Sequence, residues 1–418
     1  MTQTAPLLSA SGRELPKQWF RIIVVIWAGQ AVSIVTSYAA SYAAIWYVTE
    51  TTGSAFMLAV AGICAYLPQG LISPFGGMVA DRFNRRTVMV LSDGAVGLVS
   101  LGLGLVILFG QASFGLVLVM VVARSVGMAF HGPAMMAAMP MLVPEKHLLR
   151  INMLDQLVWS AAGIGAPAFG ILLYTAIGFY SVMFLDFGGA LFAVGGLLLA
   201  KIPTTHDASA DGRSVLANLR EGWSVLAVRR GLVALIVGTG LAMVVFAPLG
   251  TLFPLMVYNH FSGDGYMASL VEAVYSIGTL AGSAALLAWG GGKHLVRLVA
   301  GSIFLVGLAI AACGLLAPGM FIGFVVLCAV MAFVFAGFNG PFITIIQHNV
   351  SEEKQGRALG LIAAVNGLAS PAGVALGGVV AQTIGIAAFF FVDGLVFSAL
   401  GAGVYALKNV RSLDKPAE

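Results

Sequence analysis

Twelve long apolar runs limit what this chain can fold into. They lie near residues 20–48, 55–80, 87–109, 114–143, 150–176, 179–200, 230–259, 266–289, 294–317, 319–348, 357–382 and 386–407. About 20 apolar residues in a helix cross the hydrocarbon of a bilayer, and each run reaches that length. Inside lipid the backbone must satisfy its own hydrogen bonds, so runs of this kind predict helices. Strands of an outer-membrane barrel alternate in polarity and give no such runs. Only 9% of the 418 residues are charged, against about a quarter in soluble domains. A water-soluble enzyme with a membrane tail is therefore excluded.

The basic residues predict the orientation. Twenty of the 21 Lys and Arg fall in the N-terminal tail, in the connections after runs 2, 4, 6, 8 and 10, and in the C-terminus. With twelve spans all of these lie on one side, and the positive-inside rule makes that side cytoplasmic, together with both termini. The expected place is the cytoplasmic (inner) membrane. The net charge of +4 then reports insertion and contact with anionic lipid, not nucleic-acid binding. The tail 1–19 carries no apolar core of a signal sequence, and nothing is expected to be removed from it. Cys64, Cys313 and Cys328 lie inside spans without metal-ligand spacing and read as small packing residues.

The long polar connection, 201–229, divides the chain into bundles at 20–200 and 230–407, with a C-terminal tail at 408–418. Within it, Val215, Leu216, Leu219, Trp223 and Leu226 recur at helical spacing, which predicts an amphipathic helix at the interface. The halves repeat each other. Phe130-His131-Gly132-Pro133 matches Phe338-Asn339-Gly340-Pro341, Glu145-Lys146 matches Glu353-Lys354, and Phe184-Leu185-Asp186 matches Phe391-Val392-Asp393. The expected fold class is an all-α membrane protein with 12 transmembrane helices in two pseudo-symmetric six-helix bundles. Two such bundles are what alternating access requires.

The connection after run 2 reads Gly76-Gly77-Met78-Val79-Ala80-Asp81-Arg82-Phe83-Asn84-Arg85-Arg86. It resembles the G-x-x-x-D-R-x-G-R-R motif of the major facilitator superfamily, with Asn84 in the place of a glycine. The resemblance implies a conformational gate made by Gly77, Asp81, Arg82, Arg85 and Arg86, with Asp93 as their partner. Arg124 followed by Gly127 is similar to the arginine motif of helix 4. Gly163, Gly165, Pro167 and Gly170 are similar to the helix 5 motif of antiporters. Leu142-Val143-Pro144-Glu145 and Arg220-Glu221-Gly222-Trp223 narrow the likeness to the drug:proton antiporters that include macrolide-efflux pumps and the enterobactin exporter.

Charged residues within a span cost about 2.5–3.5 kcal/mol each on insertion scales, so each needs a reason. Arg124 binds an anionic group, tunes a nearby carboxylate or neutralises one structurally; a coupling or substrate role is favoured. Glu272 is a proton carrier or a solvated carboxylate near one mouth. Asp155 gates, titrates, pairs with Arg150 or stands as a solvated carboxylate at the interface. Asp186 and Asp393 recur in both halves, which argues for architecture. Gln30, Ser37, Tyr38 and Tyr42 share one drifting face of helix 1, which is expected to line a cavity. Met128, His131 and Met135 from helix 4, Trp159 from helix 5, and Asn339 and Asn366 from the second half complete that expected surface.

There is no Gly-x-x-x-x-Gly-Lys phosphate loop, no Cys/His cluster with zinc spacing and no Gly-x-Ser-x-Gly elbow in the sequence. An ATP-driven pump and an embedded enzyme are disfavoured, and no cofactor or metal is expected. The expected function is a secondary active transporter that exports drug- or macrolide-like amphiphiles in exchange for protons. The expected partners are that substrate, protons and membrane lipids, with the chain acting as a monomer. The alternative is a dedicated exporter or flippase of one metabolite, such as a siderophore or lysophospholipid, without proton coupling.

Overall fold

The computed structural model describes residues 19–110, 113–199, 223–224, 226–292, 294–350 and 352–414. Its long helices are α1 (Trp19–Thr52), α2 (Ala55–Arg82), α3 (Arg85–Leu108), α4 (Phe114–Leu142), α5 (Glu145–Ile177), α6 (Phe179–Leu199), α7 (Arg230–His260), α8 (Gly265–Trp289), α9 (Leu295–Leu315), α10 (Phe321–Asn349), α11 (Glu352–Ile384) and α12 (Ile386–Ala406). A short helix α13 (Lys408–Arg411) follows. Among the described residues, 11 segments are long and apolar enough to cross a membrane, and α5 adds the shorter apolar stretch Ala161–Ile177. The chain is a multi-pass membrane protein. Large apolar side chains remain exposed around it, including Leu287, Phe192 and Leu91, as expected for surfaces that face lipid.

Sequence punctuation sets the helix ends. Asn84 accepts from Arg86 N at 3.0 Å, and Asp264 accepts from Met267 N at 2.9 Å, so both cap the helices they precede. Gly178 alone separates α5 from α6, with φ of 107°, and Gly385 alone separates α11 from α12, with φ of 85°. Side chains rarely adopt that backbone, and the device recurs in the second half. α5 and α11 begin about five residues before the apolar runs do, because their first turns are polar and helical beyond the expected hydrocarbon.

α7 departs from the single uninterrupted helix expected at 230–259. It consists of Arg230–Phe246, Leu249–Leu255 and a π turn at Met256–His260. Pro248 and Pro254 each lack the N–H that a continuous helix would use. The expected amphipathic helix of the connection falls almost wholly outside the described residues; of its face, Leu226 is buried and Trp223 half exposed.

The chain divides into two compact units, Met1–Tyr47 with Leu67–Asp211, and Val48–Tyr66 with Gly212–Glu418. The corner between α1 and α2 thus belongs to the second unit, whereas the sequence reading had the first bundle running unbroken from 20 to 200. Within that unit Ser54 Oγ donates to Gln382 Oε1 at 3.1 Å, and Asn259 Nδ2 donates to Gly53 O at 2.9 Å. In the first unit Ile23, Met89, Ala134, Ala138 and Leu197 form a core joining α1, α3, α4 and α6.

Glycines bring helix backbones together. A methyl group on Gly170 would lie 2.1 Å from Ala39 O, one on Gly373 2.1 Å from Val244 O, and one on Gly282 2.2 Å from Phe333 O. Lipid tails are as apolar as leucine, so such contacts, not burial from water, hold the helices. In detergent-solubilised protein, Gly282→Val is expected to lower thermal stability, at the cost of about 1–3 kcal/mol that overpacking carries. Gly301, with no atom within 4 Å of its added methyl position, should accept valine without loss. Equal shifts in the two variants would remove close backbone approach as the cause.

Candidate functional site

The first unit holds a fixed charge cluster. Arg124 on α4 forms an ion pair with Asp186 on α6, with side chains 9% and 1% exposed. Arg124 Nη2 donates to Ser37 O at 2.6 Å, and Ser37 Oγ donates to Asp186 Oδ1 at 2.8 Å. Ser100 Oγ on α3 donates to Asp186 Oδ2. Four helices therefore meet at one carboxylate. α6 can come so close because Gly189 faces Thr36, whose Oγ1 would stand 2.0 Å from a methyl group there. Ser37, expected to line a cavity, is part of this knot. Arg124 is neutralised within its own unit, and of the sequence readings the structure favours the neutralising one over an open anion receptor.

About two turns along α4 lies a second cluster. His131 Nδ1 is 2.9 Å from Asp93 Oδ1, and Gln30 Nε2 donates to Asp93 Oδ2 at 3.0 Å. Gln30 and His131 are buried, at 4% and 7% exposure. The expectation that Asp93 partners the arginines of the α2–α3 connection is corrected here. Its position two turns into α3 turns it toward α1 and α4.

Those arginines serve helix ends. Arg86 Nε donates to Leu197 O at 2.7 Å, and its Nη2 donates to Leu198 O. These are two of the four carbonyls that the end of α6 leaves without partners, where a cation also suits the helix dipole. Arg85 Nη1 donates to Ala137 O of α4 at 2.8 Å, and its Nε to Ala80 O at 3.4 Å. Arg82 is exposed, Gly77 has open space at its methyl position, and the side chain of Asp81 lies outside what is described.

In α5, Pro167 is buried in mid-helix and leaves Gly163 O without its usual donor. Gly163 and Gly165 face open space, while Gly170 seats the helix on Ala39. The side chains of Asp155 and Trp159, on the same helix, fall outside the described residues. Tyr38, Tyr42, Met128 and Met135 are half-buried, and Met135 packs on the core of the first unit.

The second unit brings together two residues expected at a substrate surface. Asn339 of α10 and Asn366 of α11 line a cavity of about 230 Å³ with Met243, Phe246, Phe335 and Phe338. Phe246 and Phe335 stack at 4.5 Å and 7°, and Phe335 and Phe338 at 5.6 Å and 26°. Aromatic faces with a few fixed amides suit an amphiphile, although drug-sized sites reach about 300–1,000 Å³. Glu272 is not in this cavity. It is partly buried on α8 near Tyr275 and Cys328.

One residue was undervalued in the sequence. Asp393 on α12 is 8% exposed, and its Oδ2 is buried without a hydrogen-bond partner. The repeat had marked it as the twin of Asp186, but residue type alone does not show that the twin lacks a cation.

Repeated helical units with buried charge between their helices are the architecture of a secondary transporter. The Major Facilitator Superfamily model matches residues 26–370. The chain belongs to that superfamily. It is 31% identical to macrolide efflux protein A of Streptococcus pyogenes over 397 residues, covering 95% of this chain and 98% of that one. It is 26% identical to the multidrug efflux pump Tap of Mycobacterium tuberculosis over 407 residues, covering 93% and 92%. Its fold is similar to a bacterial homologue of the human lysosomal transporter Spinster, with TM-score 0.71, 14% identity and coverage of 96% and 99%. A bacterial homologue of the iron transporter ferroportin gives TM-score 0.69 at 14% identity, covering 93% and 99%. These relatives and folds are transporters, not enzymes.

Arg124→Met should destabilise the protein by about 3–5 kcal/mol, since it leaves the Asp186 carboxylate buried and unpaired. The double variant Arg124→Met with Asp186→Leu should recover most of the loss in a thermal-unfolding assay. Additive losses would mean that the two side chains act independently.

Proposed function

We propose that the protein exports amphiphilic small molecules of macrolide-like chemistry in exchange for protons, by alternating access of its two units across the cytoplasmic membrane. The observation that carries this reading is the aromatic cavity of the second unit, bounded by Asn339 and Asn366, in a chain whose similarity to macrolide efflux protein A extends over nearly its whole length. Stacked phenyl rings accept varied apolar shapes, and the two amides fix an ester or hydroxyl. Neutral polar groups suit a substrate that partitions from lipid.

The driving force is the proton gradient, and an electrical potential adds about 2.3 kcal/mol per charge per 100 mV. Glu272, and Asp155 on α5, are proposed to exchange protons along the path. The Arg124–Asp186 pair holds the first unit rigid while the units move. The arginines after α2, with Asp81, are proposed to serve the gate, in which Arg85 fastens α4 and Arg86 the end of α6. The charge distribution supports cytoplasmic termini, and the chain is proposed to work as a monomer whose basic face meets anionic lipid.

In inside-out vesicles, acidifying the lumen should drive accumulation of a fluorescent macrolide. Phe246→Ala and Asn366→Ala should raise KM several-fold with expression unchanged. Accumulation indifferent to the pH gradient would overturn the proton exchange, and an unchanged KM in both variants would overturn the cavity assignment.

A further inference from the structure

Asp186 and Asp393 hold the same place in the two repeats, two residues after a phenylalanine in the last helix of each unit. Asp186 is answered by Arg124, Ser100 and Ser37. The counterparts around Asp393 are apolar. Arg124 lies six residues before Phe130 of the shared Phe-x-Gly-Pro, and the residue six before Phe338 is Ala332. Gly97 and Gly104 seat α3 on α6 as Gly307 and Gly314 seat α9 on α12. Three residues past Gly97 stands Ser100; three past Gly307 stands Ile310, which is fully buried.

The helices packed on α12 bring no replacement charge. α9 carries Cys313, whose thiol meets that of Cys328, and Arg297 in its first turn, about four turns from Asp393. α7 carries Arg230 at its start and, in its π turn, Tyr258 and His260; Nε2 of His260 lies 2.7 Å from Leu316 O. The charges of α11, Glu352 to Arg357, fall in its first two turns. Beyond α12, Arg411 of α13 lies over the Tyr405 ring at 5.6 Å, and Lys408 begins the same short helix. Among the described residues no ion pair reaches Asp393.

We propose that Asp393 is a second proton-binding group of the second unit, beside Glu272, an inference that rests on the proton exchange proposed above. A carboxylate enclosed without cation or donor is tolerated as its neutral acid. Water delivers a proton to the carboxylate oxygen before the unit closes around it, and the proton returns to water when movement of α12 against α9 admits water again. The duplicated acid thus divides its work: a fixed arginine neutralises one copy, and an exchangeable proton neutralises the other.

The test uses the full-length protein in proteoliposomes. Asp393→Asn imitates the protonated state. It should retain substrate counterflow, which needs no net proton movement, and lose at least ten-fold in uptake driven by a pH gradient. Asp393→Glu keeps an acid, so it should keep driven uptake with a displaced pH profile. Driven uptake by Asp393→Asn equal to wild type would overturn the proposal, whereas a wild type that ignores the gradient would overturn the proton exchange itself. If Asp393→Asn does not insert, infrared difference spectra between acidic and alkaline buffer decide on wild type and Asp393→Glu. A protonated-carboxyl band that moves between the two supports the assignment, and one that stays overturns it.

Discussion

A charge inside hydrocarbon must be cancelled locally, and the interior of each unit is arranged around that requirement. At Asp186 the solution is complete: a guanidinium, two hydroxyls and the bonds among them leave neither oxygen idle. The cluster draws α1, α3, α4 and α6 together, and removing any member exposes the others to a low-dielectric interior. Such a pair specifies which helix faces meet more than it adds stability, because desolvating both ions offsets much of their attraction.

Glycine makes that convergence geometrically feasible. The carboxylate of Asp186 reaches α1 because Gly189 carries no side chain against Thr36, and α3 lies close because Gly97 and Gly104 face α6. The hydrophobic effect does not discriminate between helix and lipid, so the specificity of assembly falls to shape and to a small number of polar bonds. The arginines after α2 extend the same logic to the helix ends. Arg86 gives α6 the donors that its last turn cannot find within itself.

Much of the fold was legible in the sequence, because the bilayer imposes a length on every helix and the repeat imposes a count. Most span edges follow from those two constraints, whereas the single-glycine corners show only in the backbone, at Gly178 and Gly385. The break in α7 was signalled by Pro248 and Pro254 but was masked by an apolar run that never falters. The site was less legible. Gln30, Asp93 and His131 come from three helices, and sequence order pointed Asp93 toward the arginines nearest to it along the chain. Asn339 and Asn366 stand out by their polarity within apolar helices, and they share a cavity because α10 and α11 approach across it.

Duplication explains what symmetry conceals at Asp393. Repeated residues argue for a shared structural duty only while their neighbours repeat too. Here the backbone seats recur, Gly97 and Gly104 against Gly307 and Gly314, while the polar partners do not. A helix interface that keeps its packing and loses its counter-charge retains its geometry but changes its electrostatics. In the first unit a guanidinium that stays charged throughout answers the carboxylate. The second is left with an acid whose neutrality depends on a proton, and one repeated interface supplies both a rigid body and a site at which protonation can bias its partner.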